Sequence, residues 1–271
     1  MSDEEIIRDY NPEKDLTDQL SELGFQATNA GRASRLLHRM VDNKDCVLLL
    51  SFTANLMASG LRGIFKALIE QGFVDAVYTT GGAIDHDVIK AYQPYLKGFF
   101  QMDDNQLRCD KTNRIGNILV PDERYELLEG KIRPVLEQIS NEDKTYTPSR
   151  LIEKIAGTLD NQDMFIKKCL DANTPVFCPG LVDSAIGLQI LFHKQDHPDF
   201  MIDDSGDLKR IHEITMNAKE TGGLIIGGGI SKHHLIGSNL LRGGLDYAIY
   251  LTTSSEYDGS LSGATPREAR S

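Results

Sequence analysis

The 271-residue sequence has no tryptophan, only four cysteines and no apolar run long enough to cross a membrane. A membrane-spanning helix needs about 20 consecutive apolar residues, so we expect no contact with a bilayer interior. The N-terminal residues Met1-Ser2-Asp3-Glu4-Glu5 are acidic and lack the positive charge and apolar core of a signal peptide. We therefore expect a cytoplasmic protein.

The four cysteines are scattered through the sequence and form no CxxC pair. Cys46, Cys109, Cys169 and Cys178 lack the close spacing of zinc ligands, so the sequence predicts no metal centre among them. Reduced thiols in a reducing compartment are the expected state.

Basic residues are too few for a nucleic-acid surface. The chain has 29 Lys and Arg against 40 Asp and Glu, which gives a net charge of −11. A protein that binds nucleic acid needs a concentrated basic surface, so we expect no such partner. The negative charge is typical of a soluble protein and is compatible with a cationic partner such as a polyamine.

Five short apolar runs, each bounded by turn residues, predict buried strands. They cover residues 46–52, 75–80, 175–178, 223–226 and 246–252. Helical patterns lie between them, and one has Thr147 as a helix cap before Pro148. This alternation predicts an α/β fold with a Rossmann-like parallel sheet and helices on both faces. We expect an N-terminal arm at 1–23 and a single domain at 24–271.

Polar and glycine-rich turns follow the predicted strands, and ligands bind at the carboxyl ends of parallel strands. Residues 79–82 follow the second strand and residues 227–234 follow the fourth. Glycines allow close approach of a ligand, and a following helix presents its N–H groups. No G-x-G-x-x-G fingerprint is present. Asn55 and Asp183 could contact a phosphate or ribose, or could cap helices. We expect a nucleotide-type cleft.

The triplet Asp85-His86-Asp87 has three interpretations. It could ligate a metal as in arginase-like hydrolases, bind a cationic substrate, or place acidic residues at a helix N-terminus. A metal-dependent ureohydrolase would need a second acidic cluster at a strand end, and the sequence has none. His233 and His234 lie on different faces of a predicted helix, so at most one should reach the cleft.

Five segments, in order along the chain, resemble the deoxyhypusine synthase family. They are residues 24–29, 79–82, 113–121, 227–234 and 256–264. The resemblance implies that family's fold and an NAD-dependent transferase. Its reaction moves the 4-aminobutyl group of spermidine through an enzyme lysine to a lysine of a translation initiation factor precursor, forming deoxyhypusine. It also implies a homotetramer whose sites are shared across a dimer interface.

The family's site residues carry over by position. The implied NAD contacts are Ala54, Asn55, Ala58, Thr80, Gly81, Gly82, Asp183, Thr253, Ser254 and Asp258. The implied polyamine site comprises Asp85, His86, Tyr125, Gly228, His233, Gly259, Ser260 and Glu268. His233 and Glu268 are the catalytic candidates, and His233 would take a proton during amine oxidation.

The sequence departs from the family pattern at a few positions. The family's nucleophilic lysine lies in a Trp-Gly-Lys triplet just beyond the position of Glu268, and the chain ends at Ser271 before it. Lys232 matches a different family lysine. Leu188 and Leu261 replace carboxylates, and Gly237 replaces an asparagine. We therefore expect a C-terminally truncated enzyme or a non-catalytic paralogue, and the donor could be another amine such as agmatine.

Overall fold

A parallel five-stranded sheet forms the centre of the computed structural model, which describes residues 6–270 apart from the side chain of Asp258. The strands within this range are β1 Cys46–Phe52, β2 Ala76–Tyr78, β3 Leu96–Lys97, β4 Thr112–Ile115, β5 Ile118–Pro121, β6 Thr145–Tyr146, β7 Val176–Phe177, β8 Met201–Ile202, β9 Glu220–Ile226 and β10 Tyr247–Leu251. The central sheet has the order β10-β9-β1-β2-β7. An antiparallel sheet, β3-β5-β4, and the pair β6-β8 lie outside it.

Helices connect the strands of the central sheet. Within the described range they are α1 Leu16–Gln19, α2 Gln26–Asp42, α3 Ala54–Leu56, α4 Arg62–Glu70, α5 Gly81–Tyr92, α6 Asp104–Cys109, α7 Glu123–Ser140, α8 Pro148–Thr158, α9 Phe165–Asp171, α10 Ala185–Asp196, α11 Gly206–Asn217 and α12 Gly229–Asn239. A π-helical turn at Met57–Leu61 joins α3 to α4. No helix of residues 6–270 is both long and apolar enough to cross a membrane.

The predicted fold class is confirmed, because all five predicted strands lie in the central parallel sheet. β1 has the predicted bounds, whereas β9 begins at Glu220 instead of residue 223. The side chain of Thr147 accepts a hydrogen bond from the N–H of Arg150 and caps α8, as predicted. The sequence analysis did not predict the small antiparallel sheet, because its strands are short and partly polar.

Alternating side chains of β1 bury the two faces of the sheet in separate cores. Leu48, Leu50 and Phe52 pack in the larger core, whereas Leu49 packs in the smaller one with residues of α11 and α12. The rings of Phe52 and Phe65 stack with centroids 4.1 Å apart. Each fully buried side chain of this kind contributes roughly 1.5–3 kcal/mol. These cores fix the strand ends relative to one another.

Residues 16–22 of the predicted N-terminal arm pack against α2. A β-carbon at Gly31 would lie 2.2 Å from the backbone nitrogen of Ser21, so only glycine permits this approach. Arg35 also donates a hydrogen bond from its guanidinium to the Ser21 hydroxyl. The boundary between arm and domain at residue 23 stays a prediction.

Candidate functional site

A loop follows the carboxyl end of each central strand, and neighbouring loops pack against each other. The loop after β2 contacts the loop after β7 on one side and the loop after β1 on the other. A β-carbon at Gly81, after β2, would lie 2.5 Å from Cβ of Ser184, which follows β7. A β-carbon at Gly82 would lie 3.2 Å from Cβ of Ala54, which follows β1. Glycine at both positions therefore lets the three loops approach closely.

The same packing continues through the loops after β9 and β10. A β-carbon at Gly227 would lie 3.0 Å from the Thr53 hydroxyl oxygen, and one at Gly228 would lie 2.7 Å from the Ser262 hydroxyl oxygen. Gly227 also has a φ of 90°, a conformation that favours glycine. The structure thus brings together the strand-end loops that the sequence analysis expected to form a cleft.

Two helices begin at this edge without a hydrogen bond from the side chain of their own cap residue, although the N–H of Gly229, the first residue of α12, donates to the Ser262 hydroxyl. α5 follows β2 and has Thr80 at its cap position, and α12 follows β9 and has Gly228 there. β2 and β9 flank β1, so the two strand ends that lead into these helices are about 10 Å apart at the usual strand spacing, and the helices pack on opposite faces of the sheet. The free N–H groups and the helix dipole make such ends favourable for anions. The pair suits a ligand with more than one phosphate.

The carboxylates of Asp85 and Asp87 cap two other helices. Asp85 accepts hydrogen bonds from the N–H groups of Ala185 (2.8 Å) and Ile186 (3.0 Å), at the start of α10. Asp87 similarly caps the start of α9. It also accepts a hydrogen bond of 2.6 Å from Arg62 Nε.

The two carboxylates therefore face different helices and are already occupied. Among the described residues, Asp85, His86 and Asp87 are not a group whose ligand atoms converge on one point. This geometry removes the support for the metal-dependent ureohydrolase hypothesis. It also differs from the expected placement of acidic residues at the start of their own helix, because Asp85 and Asp87 lie beyond the first turn of α5 and cap α10 and α9 instead. Burial raises the pKa of Asp85 to about 6.

His86 is buried beside two tyrosines. Its Nδ1 lies 2.7 Å from the Tyr95 hydroxyl, and the two rings meet edge to face. Burial, and secondarily the charge of Lys90, lowers the pKa of His86 to about 4. Tyr125 lies close enough for the Asp85 carboxylate to raise its pKa further, after the effect of burial. The predicted amine-site residues Asp85 and His86 are therefore buried, with Tyr125 partly buried near Asp85, and His86 is neutral at neutral pH.

The two histidines at the start of α12 have different environments, as predicted. His233 is exposed. His234 is partly buried, with its ring edge to face against Tyr78 at 5.7 Å. Burial lowers the pKa of His234. His233 is thus the one of the pair that a ligand at the surface can reach.

Lys232 is fully buried between α12 and the segment after β10. Its Nζ donates hydrogen bonds to the carbonyl oxygens of Ser262 (3.0 Å) and Ala264 (2.9 Å). It also lies 4.3 Å from the centroid of the Tyr250 ring. Ser262 in turn accepts a hydrogen bond of 2.9 Å from the N–H of Gly229. Lys232 therefore positions the loop that contacts the glycine turn.

The sequence analysis missed Tyr250. Its hydroxyl is buried and has no hydrogen-bond partner in the part of the chain that the structure describes. Burial raises the pKa of Tyr250 to about 12, with a further contribution from the Glu268 carboxylate. An unpaired buried hydroxyl costs about 1–3 kcal/mol, so a polar ligand group there would stabilise the site. In the sequence, Tyr250 lies within an apolar strand, and this position does not distinguish it from a tyrosine of the core.

The remaining predicted contacts have varied exposure, and one of them, Glu268, precedes Ala269, whose carbonyl oxygen accepts a hydrogen bond from Leu245 at the amino end of β10. Ala58 is buried and Ser254 is half-buried, whereas the exposed positions are Asn55, Asp183, Thr253, Gly259, Ser260 and Glu268. Glu268 accepts a hydrogen bond from the N–H of Thr265. The side chain of Asp258 lies outside the described part. Within residues 6–270, no hydrogen bond, ion pair or ring contact joins His233 or Glu268 to the cluster around His86.

Two of the three positions that depart from the family pattern lie in elements that begin after the strand ends, whereas Gly237 is near the far end of α12. Leu188, on the second turn of α10, is 46% exposed, and Leu261 is half-buried beside Ser262. Gly237 lies on α12, where an added β-carbon would be 4.0 Å from the His233 ring. Apolar side chains at the two leucine positions cannot pair with an ammonium group.

Comparisons with known proteins agree with this architecture. The deoxyhypusine synthase family model matches residues 15–271. The chain is 40% identical to a "probable deoxyhypusine synthase" of Thermoplasma acidophilum over 257 residues, which cover 94% of this chain and 83% of that protein. It is 35% identical to one of Drosophila melanogaster, with 91% and 74% covered.

A solved structure gives the same result. The crystal structure of a candidate deoxyhypusine synthase from Entamoeba histolytica superimposes with a TM-score of 0.70 at 28% identity, covering 89% of this chain and 84% of that one. The fold is thus a helix-flanked parallel sheet, as in that solved structure. The chain belongs to the deoxyhypusine synthase family.

Proposed function

We propose that this chain supplies the NAD and amine sites for NAD-dependent transfer of the 4-aminobutyl group of spermidine to a lysine of a translation initiation factor precursor, forming deoxyhypusine. The enzyme lysine that carries this group in the family is not among residues 1–271, so the step proposed for the chain itself is oxidation of the amine. Family membership supports aminobutyl transfer in hypusine biosynthesis. The observation that carries the finer proposal is the pair of helix starts, α5 and α12, whose own cap residues form no side-chain hydrogen bond and which follow the strands on either side of β1. The pair suits the diphosphate of a dinucleotide.

The residues around this edge fit NAD. Gly81 is the first residue of α5 and Gly229 is the first residue of α12. An added β-carbon at Gly229 would meet no atom within 4 Å. Asp183 is exposed after β7, where its carboxylate could accept a hydrogen bond from a ribose hydroxyl. The proposed contacts also include Ala54, Asn55, Ala58, Thr80, Gly82, Thr253, Ser254 and Asp258. When bound, NAD supplies a hydride acceptor for amine oxidation.

The amine is proposed to contact both groups of candidate residues. His86 is neutral near pH 7 because of its burial, so it can accept a hydrogen bond from an ammonium group without charge repulsion. Glu268 supplies a carboxylate, and the unpaired hydroxyl of Tyr250 supplies a further polar contact. Tyr125, Gly228, Gly259 and Ser260 complete the proposed substrate site.

His233 is the proposed general base. It is exposed at the first turns of α12, next to the glycine turn, and it can take the proton that the amine loses during oxidation. No contact within the described residues joins His233 to the residues around His86. One substrate could reach both His233 and His86 if they lie at opposite ends of a long site, or if they come from two subunits. A homotetramer with sites shared between subunits fits the second arrangement.

The first test uses purified protein incubated with NAD and spermidine. The proposal predicts NADH formation, followed by fluorescence, and release of diaminopropane, followed by chromatography. A second incubation with the factor precursor tests transfer to its lysine. NADH formation without transfer would restrict the chain to amine oxidation, whereas no NADH with spermidine would contradict the proposal.

A different amine is the second candidate, favoured by Leu188 and Leu261. These leucines stand where the family has carboxylates, and Leu188 is nearly half exposed. An assay with agmatine in place of spermidine separates the two donors. If neither amine reduces NAD while NAD still binds, a non-catalytic paralogue that pairs with an active subunit becomes the better account.

A further inference from the structure

Two histidines and a glutamate come together between α7 and α10, away from the strand-end loops. His193 and His197 lie four residues apart on α10, and Glu137 lies on α7. One ligand atom from each residue lies within 4.8 Å of the other two. His197 Nε2 is 3.5 Å from one Glu137 carboxylate oxygen, and His193 Nδ1 is 3.9 Å from the other.

The spacing and ligand types are those of a transition-metal site. Histidines at i and i+4 lie on one face of a helix, so both can contact the same ion. Two imidazoles and a carboxylate are a familiar zinc ligand set, with water in the fourth position. We propose that Glu137, His193 and His197 bind one Zn²⁺ ion and tie α7 to α10.

A second contact orients one of the histidines. His197 Nδ1 lies 3.3 Å from the His193 carbonyl oxygen. A proton on Nδ1 leaves the lone pair on Nε2, the nitrogen that faces Glu137. In the present ring orientation, this contact favours the tautomer that leaves Nε2 free to accept a ligand.

The site also has room for an ion and its water. A cavity of about 260 Å³ borders both histidines and Glu137, and Asp196 adds another carboxylate to its wall. The His193 side chain is 7% exposed, and its Nε2 has no partner among residues 6–270. The two rings now stack with centroids 4.1 Å apart. An ion cannot lie in both ring planes, so binding requires the more exposed His197 ring to turn out of the stack and to give up its contact with the His193 carbonyl oxygen.

The ion would act at a distance from the proposed reaction site. Tyr125 is at the start of α7, whereas Glu137 is 12 residues further on, about 18 Å at the helical rise. Similarly, α10 begins beside Asp85, and His193 is near its other end. The bound ion would hold together two helices whose N-terminal ends border the amine cluster. This inference does not depend on the proposed function.

Isothermal titration of chelator-treated protein with ZnCl₂ tests the proposal. The full chain should bind one Zn²⁺ per molecule, and zinc should raise its Tm. His197→Gln and Glu137→Gln should each abolish or strongly weaken this isotherm, and both change exposed or partly exposed side chains, so the variants should fold. His38→Gln, at an exposed histidine of α2, is the matched control and should bind as the wild type does.

Titration with Co²⁺ identifies the ligand atoms. The wild type should give the visible bands of nitrogen and oxygen ligation, and these should be lost in His197→Gln. Thiolate bands would instead assign binding to a cysteine such as the exposed Cys109. The proposal is overturned if the wild type binds no zinc, if His197→Gln binds as tightly, or if the ligation is by thiolate. In each case Glu137 and the histidines would form only an ion-paired cluster.

Discussion

Lys232 Nζ donates a hydrogen bond of 2.9 Å to the carbonyl oxygen of Ala264. The ammonium group is fully buried, and its second hydrogen bond is to Ser262. Through these bonds a single side chain of α12 holds the loop that contacts Gly228. The glycine turn and the segment after β10 are therefore one structural unit.

Replacing Lys232 with methionine should destabilise this unit. The substitution keeps a similar volume but removes two charge-assisted hydrogen bonds and leaves two carbonyl oxygens without their donor. We expect the free energy of unfolding to fall by about 2–4 kcal/mol, measured by urea denaturation. Lys44→Met, at an exposed lysine, is the control for the loss of a charge. Equal stabilities of the two variants would refute the role of Lys232 in holding the loop.

The substitution Gly81→Ala tests the close approach of the β2 and β7 loops. Its β-carbon would lie 2.5 Å from Ser184 Cβ and 2.8 Å from the Leu181 carbonyl oxygen, so the loops must move apart. We expect a loss of about 1–3 kcal/mol in thermal or urea unfolding. Gly130→Ala, in the middle of α7, meets no atom within 4 Å and should be neutral or stabilising by up to about 1 kcal/mol. A neutral Gly81→Ala would mean that the loops are not packed as described.

The buried His86 should make stability depend on acid pH. Its pKa is 6.5 when unperturbed and about 4 in the folded chain, so between these values the unfolded state binds more protons. The unfolding free energy should therefore fall as the pH falls from 6.5 to 4, by about 3 kcal/mol from this group. Asp85, with a pKa raised to about 6, has the opposite effect.

The difference between wild type and His86→Gln isolates the histidine contribution, because Asp85 is present in both. Urea unfolding across this pH range should show the wild type losing about 3 kcal/mol relative to the variant as the solution is acidified. His38→Gln serves as the control for removal of an exposed histidine. A difference curve that stays flat for His86→Gln would show that the ring is not held neutral by burial.

His233 should affect the reaction more than the fold. As the proposed general base, its replacement by alanine should lower the rate of amine-dependent NADH formation by about 10²-fold or more. The stability should change little, since the ring is exposed. Single-turnover fluorescence measures the rate. A rate equal to that of His38→Ala would assign proton transfer to another group.

The central sheet could be predicted from the sequence because each strand is a local apolar run. β1 and β10 stand out by their β-branched, aliphatic and aromatic side chains, and their bounds follow to within a residue. The strands of the small antiparallel sheet, β3-β5-β4, could not be found in this way, because Leu96 is exposed and Asn113 and Arg114 are polar. Their pairing depends on contacts with the rest of the fold and not on a local pattern.

The role of Asp85 shows what the sequence could not reveal about the site. Its hydrogen-bond partner Ala185 is 100 positions away, so capping of α10 is visible only in three dimensions. In the same way, the His193 and His197 spacing can be read from the sequence, but Glu137 on another helix cannot, and no metal site was predicted there. The glycine turns were informative because a close approach needs a particular residue type.

The loops at the strand ends are proposed to bind a dinucleotide, and calorimetric titration with NAD measures that binding. We expect saturable binding with one NAD per chain. Gly228→Ala should weaken it by about tenfold or more, since its β-carbon would displace Ser262 from the start of α12. Gly130→Ala should leave it unchanged. No binding by the wild type, or equal affinities in Gly228→Ala and Gly130→Ala, would contradict the account.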